Sequence, residues 1–97
     1  MVQTVRSVMI APGHKMIMIE KPLVLCRIFF SVRVFVSQGY WYESQISFGD
    51  PGFRSYYIID GPAKYFEARG EGIFQGDIWV RNVSGIDLLY SFTEILY

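Results

Sequence analysis

The chain has 97 residues, 52% of them apolar and 18% aromatic, with nine basic and nine acidic residues and no formal net charge. That apolar content excludes a disordered chain, which pairs low hydrophobicity with high net charge, and the length excludes a second core. The arginines are scattered from Arg6 to Arg81 without a cluster, which excludes the basic patch expected of a nucleic-acid binder.

Val, Ile, Thr and the aromatics supply 39 residues, against 8 for Ala and Leu. Pleated sheets favour the first set and helices the second, so residues 1–97 read as one all-β domain. Alternation and turn residues predict the strands in chain order. Strand 2–10 ends at Ala11-Pro12-Gly13-His14-Lys15, and 16–20 ends at Lys21-Pro22. The longest, 23–37, carries Ile28, Phe30, Val32, Val34 and Val36 on one face and Arg27, Phe29, Ser31, Arg33 and Phe35 on the other. Strands 40–48 and 53–60 flank Gly49-Asp50-Pro51-Gly52, the strongest turn signal. Strand 63–69 follows Asp60-Gly61-Pro62, strand 72–81 kinks near Gly76, and strand 86–97 follows Asn82-Val83-Ser84-Gly85. No segment of ten or more residues has helical period. About eight antiparallel strands with tight turns predict a two-sheet sandwich of jelly-roll type. An immunoglobulin-like sandwich is the alternative, disfavoured by the lack of a Cys–Trp–Cys framework.

Chemistry is hard to build from these residues. His14, the sole histidine, sits in a Pro-Gly-His-Lys turn, where a solvated side chain is the ordinary case. One His and one Cys do not make a tetrahedral metal site, nor a cupin-type centre. A nucleophilic triad has only His14 as its base, and a turn holds a base poorly. The carboxylates fall mostly in turns or on polar strand faces. Gly70-Glu71-Gly72 lacks the Lys-Ser/Thr of a phosphate loop. Cys26, in the apolar run 23–30, has no local base and reads as a buried free thiol. One cysteine precludes an internal disulfide, compatible with a reducing cytoplasm. Neither a signal peptide nor an apolar run of about 18 residues is visible. A non-enzymatic protein is expected, with no cofactor, metal, membrane or nucleic-acid partner.

The aromatic surplus is the more informative feature. Tyr40-Trp41-Tyr42 can be a strand start with Tyr40 and Tyr42 in the core, a protein contact, since Tyr and Trp are enriched there, or a platform for a sugar. Trp79, between Ile78 and Val80, belongs to the core or to a contact between subunits. Tyr56-Tyr57 puts one aromatic on each strand face. Phe29 and Phe35 lie on the mixed face of the longest strand beside Arg33. The candidate protein interface is therefore Phe29, Arg33, Phe35, Tyr40, Trp41, Tyr56 and Trp79.

The C-terminal stretch Gly76-Asp77-Ile78-Trp79-Val80-Arg81-Asn82-Val83-Ser84-Gly85, followed by 86–97 with Glu94-Ile95, resembles the end of small β-sandwich accessory proteins of tailed-phage virions, of the decoration (cement) or head-fibre type. The resemblance spans about 22 residues and carries no catalytic motif. It implies a structural jelly roll that forms a homo-oligomer, trimer or dimer, on a capsid or tail lattice, assembled in the host cytoplasm and located in the virion. Two other readings stay open. One is a ligand- or carbohydrate-binding sandwich using Tyr40-Trp41-Tyr42. The other is a subunit of an unrelated bacterial or archaeal complex.

Overall fold

Strands form where β-branched and aromatic residues alternate with polar ones. Eight are present: β1 (Val2–Ile10), β2 (Lys15–Ile19), β3 (Arg27–Phe35), β4 (Ser44–Phe48), β5 (Tyr57–Ile59), β6 (Ala63–Arg69), β7 (Ile78–Asn82) and β8 (Leu88–Leu96). The computed structural model describes residues 2–20, 27–35, 42–61, 63–69 and 76–96, none of them helical. β1 and β6 have the predicted bounds, and β2 starts one residue early. Residues 23–26, 36–37, 40–41, 72–75 and 97 of the predicted strands lie outside the described residues.

Two boundaries move for local reasons. The stretch 53–60 yields only the three residues of β5. The Asp50 carboxylate accepts from the backbone N–H groups of Gly52 (2.9 Å) and Arg54 (2.8 Å). The Ser47 hydroxyl donates to the Asp50 carbonyl at 2.7 Å. Those bonds hold 49–54 as a turn, offering the backbone an alternative to a ladder. The Arg54 and Gly52 N–H groups also hold the Asp50 carboxyl below its ordinary range. Within the turn Phe53 takes φ 53°, a conformation unusual for an aromatic residue. Before β7, Gly76 takes φ 92°, which a strand cannot use. A Cβ there would sit 3.3 Å from the Gly49 Cα, so this turn with its close backbone approach favours glycine.

The sheet orders are β1-β8-β3-β6 and β2-β7-β4-β5. All neighbours are antiparallel. Strand pairs are nested, β4 with β5, β3 with β6, β2 with β7 and β1 with β8, as in a long hairpin wound around itself. Only the β4–β5 connection stays within one sheet; every other connection crosses between sheets. This is jelly-roll order, and the immunoglobulin-like alternative is set aside.

The core is where the two inner faces meet. Ile10, Val32, Val34, Leu88, Tyr90 and Phe92 from the first sheet pack against Met18, Ile46, Ile59, Ile78 and Val80 from the second. Each fully buried side chain of this kind contributes about 1.5–3 kcal/mol. The Tyr90 hydroxyl and the Ser44 hydroxyl hydrogen-bond across the sandwich, and the Tyr90 and Phe92 rings stack at 6.2 Å. Burial pushes the Tyr90 phenol up to about 12. Asn82, fully buried, donates from Nδ2 to the carbonyls of Ile10 (2.9 Å) and Ile86 (2.8 Å) and accepts from Ser84 N–H at 2.8 Å. Gly13 N–H donates to the Asn82 carbonyl (2.8 Å) and Asn82 N–H to the His14 carbonyl (3.0 Å). One asparagine thus ties together the β1–β2 turn, β7 and the β7–β8 turn.

Candidate assembly surface

Strand parity decides what each sheet shows to solvent. With Ile10, Leu88, Tyr90, Val32 and Val34 facing inward, Met9, Leu89 and Phe35 must face outward. Register places these three side by side, Met9 opposite Leu89 and Leu89 opposite Phe35. They are 57%, 37% and 52% exposed. Neighbouring strands are about 4.8 Å apart, so the three form one continuous apolar row. A second row runs Val5, Thr93, Ser31, Tyr65, with Val5 and Tyr65 60% and 57% exposed at its two ends. Between the rows, Ser7 and Ser91 pair and Ser91 pairs with Arg33. Arg33 is the single charge among the described side chains of this face. Met, Phe and Arg are among the residues enriched at the centre of protein interfaces.

The outer face of the second sheet is built differently. Lys15 Nζ lies 5.3 Å from the Trp79 ring centroid and donates to the Pro51 carbonyl. The Arg81 guanidinium lies 4.5 Å from the Phe53 centroid and donates from Nε to Gln45 Oε1 at 3.0 Å. Phe53 is only 4% exposed. The 49–54 turn therefore folds back on this face and occupies part of it. The strain at Phe53 is offset by ring burial and a cation over the ring.

Between the sheets, a cavity of about 250 Å³ opens where Thr4, Arg6, Phe92 and Glu94 face Met18, Ile19 and Glu20. Its floor is apolar and its rim charged. Glu94 sits in line with Tyr90 and Phe92 on the inward parity of β8, opposite Thr4, and burial pushes its carboxyl above the ordinary range. The volume falls below the roughly 300–1,000 Å³ of ligand pockets. No group of three metal-ligating side chains occurs among the described residues, and His14 is exposed in its turn. Among the described residues no helix is long and apolar enough to cross a membrane.

The sequence-derived interface residues divide. Arg33 and Phe35 share the outer face of β3, both exposed. Phe29 is placed by backbone pairing with Glu67 and Ile95, and its side chain lies outside the described residues, as do Tyr40 and Trp41. Tyr56 is exposed beside β5, at the far edge of the other sheet. Trp79 is half-buried under Lys15 on the second sheet's outer face. Of the described ones, Arg33 and Phe35 lie on one sheet and Tyr56 and Trp79 with the other. Met9, Val5 and Tyr65 complete the exposed face of the first sheet; the parity of 2–10 against Ile10 was the available signal for Met9 and Val5.

No protein-family model and no curated protein matches the chain. Among solved structures, one from Bacillus, described in the words "Bacillus endospore appendages form a novel family of disulfide-linked pili", superposes with a TM-score of 0.54 at 15% identity. The match covers 96% of this chain and 84% of that one. The likeness shows a shared fold. That neighbour is a pilus-type structural protein.

Proposed function

We propose that the chain is a non-enzymatic structural subunit that assembles with copies of itself, using the outer face of the β1-β8-β3-β6 sheet. The observation that carries this is the exposed apolar row Met9, Leu89, Phe35 across three neighbouring strands of that face. Four strands about 4.8 Å apart and up to nine residues long make a face of roughly 600 Å². Two stacked faces bury roughly 1,200 Å², above the ~1,000 Å² of a specific interface. The fold of the pilus neighbour supports a subunit role. The 97 residues hold one cysteine, so disulfides alone can join two such chains but not a polymer. Noncovalent surfaces have to carry the array.

The finer setting, a decoration or tail-associated accessory protein on a virion lattice, is supported by the resemblance of residues 76–97 to tailed-phage proteins. Sedimentation velocity of the native chain and of Phe35→Lys tests the assembly reading. The native chain is expected to sediment as an oligomer and the variant as a smaller species. Identical profiles for the two would remove this face from the account.

A further inference from the structure

Of the four strand edges that end the two sheets, three are short, bulged or carry several charges, devices that discourage pairing with another chain. β5 has three residues. β2 has five and shifts register between Ile17 and Ile19. β6 holds Lys64, Glu67 and Arg69 within seven residues. Short edges, bulges and edge charges are the usual protections. β1 is long and unbulged, and its one protecting charge is Arg6 on the inward parity. It runs nine residues in unbroken register from Val2 opposite Leu96 to Ile10 opposite Leu88. It has no proline and one charge, Arg6, and residues 3–7 are all exposed. β1 ends its sheet among the described strands, and the exposure of residues 3–7 leaves a row of backbone donors and acceptors for a further strand.

We infer that β1 joins two copies of this chain, pairing antiparallel with β1 of the second copy about a two-fold axis at Ser7. This rests on the self-assembly reading and adds an edge-to-edge contact to the stacked outer faces. The choice of occupant comes from the strand's own pattern. Centred on Ser7, the register sets Val5 opposite Met9 of the second copy, twice, and Arg6 opposite Val8. It joins the two most exposed apolar side chains of β1. Centred on Arg6, the register would oppose two guanidinium groups, which is destabilising. Centred on Val5, it would leave Met9 beyond the end of the partner's β1. The Ser7 register also prolongs the apolar row, which then reads Phe35, Leu89, Met9 and Val5 of the second copy across the axis.

Two experiments test the contact. In a Cys26→Ser background, Ser7→Cys places two thiols on the axis. Opposed Cα atoms in an antiparallel pair are about 4.5–5.5 Å apart, within disulfide reach. Ser91→Cys, one strand inward, leaves its thiols about 14 Å apart, beyond reach. Mild oxidation should give a covalent dimer from Ser7→Cys and none from Ser91→Cys. In the chain with Cys26 intact, Val5→Lys should raise the dimer dissociation constant roughly tenfold. Adding Met9→Glu, which sets opposite charges across the axis, should restore it to within about threefold. A native oligomer without the Ser7→Cys crosslink and without charge rescue overturns the β1 contact while leaving self-assembly standing. A native chain that is monomeric throughout overturns both.

Discussion

Asn82 shows how one buried polar side chain fixes the loops at one end of the sandwich. Its amide serves two carbonyls and one N–H in turns or at strand ends. Asn82→Ala removes three hydrogen bonds made by a buried side chain, at about 1–3 kcal/mol for such a loss. The urea midpoint is expected to fall accordingly, and an unchanged midpoint would show the bonds to be dispensable. Tyr90 gives a pH signature. Its phenol titrates near 12 when folded and near 10 when unfolded, so the folded state holds the proton more tightly. Its stabilising contribution is complete below pH 10 and is lost as pH rises through 12. Tyr90→Phe should lower stability at neutral pH by about 1–2 kcal/mol, because the Ser44 hydroxyl loses its partner. It should also flatten the decline between pH 10 and 12, as read from denaturant midpoints across that range.

At the scale of the strand, Glu94 interrupts the inward face of β8 after Tyr90 and Phe92. Burial raises its pKa, so the folded state favours the protonated acid. The contribution is therefore present below the unfolded pKa, and stability falls as pH rises above it. Glu94→Gln removes that loss. A gain of at most about 0.5 kcal/mol is expected at pH 7, given how much solvent reaches the group, and none at pH 3. A loss at pH 7 would mean that the carboxylate is held by a favourable partner. The strands themselves were readable because period-2 alternation survives wherever one face is buried, as in β1, β3 and β8. β5 was overestimated because Asp50 captures backbone N–H groups that a ladder would otherwise use, which alternation does not register. Part of the outward set of β3 and β8 was legible: Arg33, Phe35 and Leu89 are exposed as their parity demands, whereas Ser31 on the same parity is buried. Trp79 was ambiguous because its cover comes from Lys15 and a turn distant in sequence, and no local pattern encodes such a contact.

At the scale of the molecule, the two outer faces are unequal. The second sheet folds its own 49–54 turn over part of its face, whereas the first leaves Met9, Leu89 and Phe35 bare. That asymmetry gives the aromatic and apolar surplus of the sequence a location, and zero net charge offers little repulsion between copies. Because Phe35 and Leu89 stand outside the core, Phe35→Lys and Leu89→Lys should change unfolding free energy by less than about 1 kcal/mol. Each should still weaken self-association roughly tenfold or more. Large destabilisation with unchanged association would assign these side chains to folding instead. The account stands most directly on the native mass of the unmodified chain, measured by light scattering across micromolar concentrations. It predicts a mass of at least two chains; the mass of one chain at every concentration would contradict it.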